Sequence, residues 1–321
     1  MDKLSIIIRS YNEQKYIGYL LDLIFKQIYP EDLIEVVIID SGSTDNTLDI
    51  IKNYPIKLVK IKPQEFTFGY SLNKGIEVAS GDFLVLVSAH CLPVDNNWLK
   101  NLVEPFNDEK IALVYGKQRG KDTTKFSEHR IFESWFPEIE EIKQKNPFCN
   151  NANSAIRKSL WDKYHYDESL TGLEDLDWAS NMFENGYTIV YQPYATVYHI
   201  HDETYTQVFR RYEREAIALK KIYGDIKFTL GDFLVLAGTN ILTDIAAAIS
   251  KRQFLKSIAS IIRFRFSQFW GTYKGHNYKK IVSLDLKKKF YYPQKQIKVN
   301  NELDYILPIR FFRSIKRLLI K

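Results

Sequence analysis

Two carboxylates stand side by side at Glu174-Asp175, inside Gly172-Leu173-Glu174-Asp175-Leu176-Asp177-Trp178. A carboxylate with a tuned environment can accept the proton of an attacking hydroxyl. Acids in this arrangement also suit the first turn of a helix, where they offset its dipole. Ser10-Tyr11-Asn12-Glu13 and Asp40 form a second group, each closing an apolar run. A carboxylate at a strand end can accept hydrogen bonds from a nucleobase N–H or a ribose hydroxyl. Turn formation and helix capping by Asn12, Ser43 and Asp45 explain the same residues singly; at adjacent strand ends of one sheet they favour a nucleotide pocket. The third group is His199-Ile200-His201, which follows a strand. Its two imidazoles are expected on opposite faces, unable to share one ion while the strand persists.

The elements that must position these groups alternate over the first 115 residues. Leu4–Arg9 reads as a strand, and Ile17, Leu20, Leu21 and Ile24 recur at helical spacing. Glu35–Asp40 is a continuous apolar strand of the kind covered on both faces of a parallel sheet. Ser41-Gly42-Ser43-Thr44-Asp45 turns the chain into a helix, followed by a strand at Ile56–Ile61, a helix at Tyr70–Ala79 and a strand at Asp82–Val87. Repeated βα units of this size predict an α/β fold with a mostly parallel central sheet, binding ligands at the carboxyl ends of its strands. The alternation weakens after residue 115, and Tyr187–Tyr198 returns to strand character.

Composition divides the chain. Residues 1–205 hold 21 Lys/Arg against 31 Asp/Glu, and residues 206–321 hold 24 against 8. An acidic enzymatic body (1–205) and a basic, mostly helical region (206–321) are expected, the latter suited to an anionic surface. Lys251–Tyr278 and Arg310–Lys321 interleave cations with bulky apolar residues, as helices lying on a membrane do. Phe228–Ser250 is apolar but carries Asp232, Asn240 and Asp244, so a packed or interfacial helix is expected rather than a transmembrane span. No recognised DNA- or RNA-binding module appears, and nucleic acid is not an expected partner. Two cysteines, Cys91 and Cys149, make no disulfide framework, and no leader precedes Leu4–Ile8. These features favour the cytoplasm, with peripheral attachment to the inner face of the plasma membrane.

Ser10-Tyr11-Asn12-Glu13, Ile38-Ile39-Asp40-Ser41-Gly42-Ser43-Thr44-Asp45-Asn46-Thr47, Asn73-Lys74-Gly75 with Ala79-Ser80-Gly81-Asp82, and Glu174-Asp175 occur in that order. The ordered set resembles family 2 glycosyltransferases of the GT-A fold over roughly residues 3–215. Phe66-Thr67-Phe68-Gly69, Leu92-Pro93-Val94-Asp95-Asn96-Asn97-Trp98-Leu99 and Val114-Tyr115-Gly116-Lys117-Gln118 are similar to bacterial rhamnosyltransferase-like members that build O-antigen and capsule. The resemblance implies a nucleotide-sugar donor and a glycan or lipid-linked oligosaccharide acceptor. It places Tyr11, Glu13 and Asp40 around base and ribose, and Asn73 and Lys74 near the diphosphate. Asp175 would be the base of an inverting transfer, with Glu174 and Asp177 as alternates. Gln207-Val208-Phe209-Arg210-Arg211 resembles the Gln-x-x-Arg-Trp signature of processive members, with Arg211 in place of tryptophan; Arg210 or Arg211 could pair with the leaving diphosphate. Phe148–Asn153 would form a loop near the acceptor.

The resemblance fails at one point. Where the family carries Asp-x-Asp for Mg2+ or Mn2+, this chain has Ser88-Ala89-His90. Imidazole suits Mn2+ better than Mg2+. Three readings follow: His90 with His201 holds a transition metal; protonated His90 with nearby Lys/Arg neutralises the diphosphate without one; or the chain is a silent nucleotide-sugar-binding scaffold of a polysaccharide assembly.

Overall fold

The structure, a computed structural model, describes residues 1–224, 226–280, 282–283, 286 and 290–291. Its strands are β1 (Leu4–Ser10), β2 (Ile34–Asp40), β3 (Lys57–Lys60), β4 (Phe83–Ser88), β5 (Cys91–Pro93), β6 (Ile111–Arg119), β7 (Asn153–Arg157) and β8 (Thr188–His199). Its α-helices are α1 (Ile17–Ile24), α2 (Thr47–Ile51), α3 (Phe68–Ile76), α4 (Trp98–Val103), α5 (Phe126–Trp135), α6 (Lys158–Trp161), α7 (Glu174–Glu184), α8 (Tyr205–Tyr223), α9 (Leu230–Ser250) and α10 (Phe254–His276). Two compact units form. The first comprises residues 1–122, 132–169 and 174–201; the second comprises 123–131, 170–173 and 202–321. The second unit thus draws two short segments from within the 1–205 region that the charge pattern assigns to the acidic body.

The first unit is built on an eight-stranded sheet in the order β3-β2-β1-β4-β7-β6-β8-β5. β1, β2, β3 and β4 run parallel, as the βα alternation predicts. β7 enters antiparallel between β4 and β6, and β5 pairs antiparallel with β8. The central strands are mostly apolar because both faces are covered. Ile6, Ile8, Val36, Ile38, Val85 and Val87 pack with Leu20 and Leu21 of α1 and Trp98 and Leu99 of α4. Their alternates Ile7, Val37, Ile39, Leu84 and Leu86 pack with Leu72 and Ile76 of α3 and Trp178 and Met182 of α7. The period-2 alternation sends successive side chains to opposite layers, and each fully buried aliphatic contributes about 1.5–3 kcal/mol.

Register aligns the carboxyl ends. Ser10 stands beside Asp40 in the β1–β2 pair, and Arg9 beside Ser88 in the β1–β4 pair. Asn153, at the start of β7, fixes the loop that precedes it. Its amide accepts from Trp98 Nε1 at 2.8 Å and donates to the carbonyls of Lys117 at 3.2 Å and Ala195 at 2.8 Å.

The second unit is helical. Thr204 with Gln207 and Thr229 with Asp232 form capping boxes at the starts of α8 and α9. Gly271 and Gly275, four apart on α10, let its backbone approach that of α8; an added Cβ would lie 2.3 Å from the carbonyl oxygen of Phe209 or Glu213. Asp244 of α9 and Arg265 of α10, both nearly inaccessible, pair through two bonds of 2.8 and 3.1 Å. α10 buries Ile261, Phe264 and Phe269 within the unit and leaves Lys256, Arg263 and Lys274 exposed. Of its cations, Arg265 is an internal ion-pair partner and not part of a solvated face. The expected helix at Arg310–Lys321 lies outside the described residues.

Gly116 of β6 tests how tightly the Asn153 clamp is built. A Cβ there would lie 2.1 Å from the Ala195 carbonyl oxygen and 2.4 Å from the Asn153 amide nitrogen. Gly116→Ala is expected to lower stability by about 1–3 kcal/mol in chemical denaturation, the usual cost of overpacking. An unchanged midpoint would contradict the rigidity assigned to this crossing.

Candidate active site

The site is assembled at the carboxyl ends of β1, β2 and β4 from short, polar connections. Asn12, with φ of 55°, accepts from Thr44 N at 2.8 Å and Asp45 N at 3.3 Å, while its own N–H donates to Ser43 Oγ at 2.9 Å. This ties the loop after β1 to the loop after β2. Asp40, 2% exposed, accepts from the N–H groups of Gly42 and Ser43 at 2.9 Å each and from Ser43 Oγ at 2.5 Å. Its carboxylate therefore shapes its own turn. Ser10 places a buried hydroxyl beside it that has no hydrogen-bond partner among the described residues.

Glu174 and Asp175 open α7. Leu173, just before them, sits in the left-handed region at φ 58°, a conformation a bulky side chain adopts at a cost of order 1–3 kcal/mol and usually near functional groups. Asp175 accepts from Asn151 N and from Leu176 N, both at 2.9 Å. The same loop returns to the donor-side strand, since the Ala152 carbonyl accepts from Ser88 N at 3.2 Å. Asp175 is thus linked through Asn151 and Ala152 to the end of β4. Arg9 Nη1 reaches Glu174 Oε1 at 3.5 Å, while its guanidinium lies 4.3 Å from the centroid of the Phe68 ring. Removal from water and the neighbouring Glu174 charge push the Asp175 pKa up to about 7, against the pull of the two N–H donors and Arg9. A carboxyl so tuned can take a hydroxyl proton near neutral pH.

The histidines converge, which corrects the expectation that His199 and His201 face apart. Residues two apart on a strand share a face, and their Nε2 atoms lie 2.8 Å from each other. β5–β8 pairing sets Cys91 opposite His199, and Ile200 N donates to the His90 carbonyl at 3.1 Å, so His90 joins them. One ring nitrogen from each of His90, His199 and His201 lies within 4.8 Å of the others. His90 Nδ1 is 2.9 Å from Glu13 Oε1, and His199 Nδ1 is 2.6 Å from Gln118 Oε1. Glu13 Oε1 and Gln118 Oε1 can each accept from the facing Nδ1, which orients those two rings. A set of imidazoles suits Mn2+ better than Mg2+.

Other expected site residues have structural duties. Buried Asn73 donates to the Tyr166 carbonyl and Glu168 Oε1 and accepts from Trp161 Nε1 and Tyr166 N, which leaves its amide no spare donor for a diphosphate. Lys74 pairs with Glu77 on the surface of α3. Arg210 and Arg211 lie on α8 in the second unit, where Arg211 is held by Glu128 at 2.6 Å and Glu203 at 2.7 Å. Phe136 and Trp161 are buried in the core. Sequence reasoning missed Arg9 and the pairing of Gln118 with His199. Arg9 left a signal, as the one charge in its strand.

The sequence profile of Glycosyl transferase family 2 matches residues 5–164. The O-antigen chain rhamnosyltransferase RfbN of Salmonella typhimurium is 30% identical over 225 residues, covering 65% of this chain and 70% of that protein. This chain belongs to glycosyltransferase family 2. The rhamnosyltransferase WbaN of Salmonella anatum is 32% identical over 189 residues, 56% of this chain and 60% of its own. Among solved structures, a Pyrobaculum calidifontis mannosyltransferase in complex with GDP-Man and Mn2+ superposes with a TM-score of 0.58 at 20% identity, covering 92% of this chain and 88% of that one. Staphylococcus aureus TarS 1-349 in complex with UDP-GlcNAc gives 0.54 at 16% identity, covering 95% and 99%. These likenesses establish the GT-A fold for this family 2 glycosyltransferase.

A base of raised pKa must be ionised to work, so activity falls as pH drops through that value. In this glycosyltransferase kcat/KM is expected to lose about tenfold per pH unit below about pH 7. Glu174→Gln removes the neighbouring charge and should move that limb to lower pH. Profiles of both proteins check this, and a limb that stays in place in the variant would count against the coupling.

Proposed function

We propose that this chain is an inverting transferase that moves a sugar from a nucleoside diphosphate donor to a hydroxyl of a surface-glycan acceptor, lipid-linked and presented at the cytoplasmic face of a membrane. The observation that carries the reading is Asp175, held by the Asn151 N–H in the loop that returns to Ser88, with its pKa raised to about 7. The names of the Salmonella relatives support the acceptor class, and the basic composition of residues 206–321 supports the membrane location.

In the proposed reaction Asp175 accepts the acceptor hydroxyl proton as its oxygen bonds to the anomeric carbon. The bond from that carbon to the diphosphate oxygen breaks on the opposite side, and the nucleoside diphosphate leaves with the electron pair. One in-line displacement inverts the anomeric centre. Ser10 and Tyr11 would border the base and ribose side, Asn12 holds the two loops together, and Asp40 shapes the second of them. Glu174 raises the basicity of Asp175, and Arg9 limits that effect. His90, His199 and His201 would hold a divalent transition ion, which when bound supplies positive charge beside the departing diphosphate. Glu13 and Gln118 orient two of those rings.

Nucleoside diphosphate release from a panel of donor sugars, run with EDTA, Mg2+ and Mn2+, tests the reading. Release with at least one donor and its loss by about a hundredfold or more in Asp175→Asn are expected. Donor binding without turnover by either protein would instead describe a silent scaffold. Independently of turnover, Mn2+ should bind the wild type more tightly than Mg2+ in calorimetry, and Gln118→Leu should weaken Mn2+ binding about 10–100-fold. Equal affinity for both ions would remove the three-imidazole assignment.

A further inference from the structure

Helix α9 is apolar on both sides, with Phe233, Leu236, Ala237, Ile241 and Ala248 buried. Its polar residues Asn240 and Asp244 face inward, 3% and 1% exposed, and Asp244 is neutralised there by Arg265. Its outward side carries Leu234, Val235, Leu242 and Ile249, at 50%, 55%, 65% and 58% exposure. At 100° per residue these four fall on one side of the helix, and no charged residue lies between Asp232 and Lys251 on that side. Outward-facing Thr239 and Thr243 bond back to the helix itself, their hydroxyls donating to the carbonyls of Val235 at 3.2 Å and Asn240 at 3.2 Å. The ridge therefore presents no polar hydrogen that requires water. A helix in contact with water carries polar residues on its outer side.

We propose that the outward ridge of α9 is the surface by which this protein docks on an anionic bilayer, with the helix lying along the hydrocarbon boundary. The proposal deepens the membrane location given under the proposed function and transfers the contact to α9 from the cation-rich segment of α10. Charge decides the occupant. Exposed Lys251 and Arg252 follow the ridge directly, and Leu255, 88% exposed, continues it beside exposed Lys256. Cations flanking an apolar ridge match acidic headgroups above acyl chains.

The 21 residues of α9 are long and apolar enough to cross a bilayer, but its inner side argues for lying flat. That side is covered by α10, which exposes Lys256, Arg263 and Lys274; a crossing α9 would draw these cations into hydrocarbon.

Flotation of the full chain with phosphatidylglycerol–phosphatidylcholine vesicles, against phosphatidylcholine alone, tests the proposal. Wild type should float with the anionic vesicles, and Val235→Glu with Leu242→Glu should cut the bound fraction about tenfold or more, with unchanged nucleotide release in the absence of vesicles. As a second measurement, Leu242→Cys carrying an environment-sensitive dye should shift its emission to the blue on the same vesicles; Cys91 and Cys149 are buried and leave the new thiol the accessible target. Flotation of the glutamate variant at the wild-type level, or an unshifted dye, overturns the ridge. If charge removal at Arg310, Arg313, Lys316 and Arg317 then abolishes flotation, the membrane location survives without it. A wild type that does not float overturns both. A dimer in light scattering that the glutamate variant converts to monomer, with flotation unchanged, overturns the ridge in favour of self-association.

Discussion

Two adjacent carboxylates in a water-poor site repel one another, and the ionised pair is stable only where donors and a cation offset that repulsion. Glu174 and Asp175 impose this constraint on everything around them. Arg9 answers it from the end of β1, a position set by its register beside Ser88. Asn151 answers it from the loop before β7, and Leu176 N answers it from the first turn of α7. The compensation is partial, and what is left over raises the proton affinity of Asp175. A fully neutralised pair would be a structural ion cluster with no use for substrate.

Much of this was legible in the chain. Continuous apolar runs at β1, β2 and β4 mark strands buried on both faces, and the polar residues that end them mark the rim where they converge. Asp175 stood out for its acidic neighbour. What the sequence did not display was partnership across long separations. Arg9 and Glu174 are 165 positions apart, and Gln118 and His199 are 81. No local periodicity connects such pairs. Asn73 shows the opposite error: its place in a recognisable motif suggested ligand contact, whereas all of its hydrogen bonds lock α3 to the segment around Tyr166.

The histidines and α9 expose two further limits. His199 and His201 converge because alternate residues share a face, and the partner ring arrives from a strand far away in sequence. For α9, mean hydropathy describes the helix but not which side meets water. Asp244 lowers the apparent apolarity of a segment whose outer ridge carries no charge, because its own charge is cancelled inside by Arg265. For α10 the same pair misleads in the other direction, since a buried guanidinium was counted as surface charge.

Asn153 is wholly buried, touches no candidate ligand position, and joins α4, β6 and β8 through three hydrogen bonds. It also begins the strand whose preceding loop holds Asp175. The same side chain is therefore answerable to two selections at once. A genetic screen for soluble protein and a screen for glycan synthesis would both retain it, and neither could assign it to scaffold or to chemistry. In this enzyme the border between the two runs through a single amide.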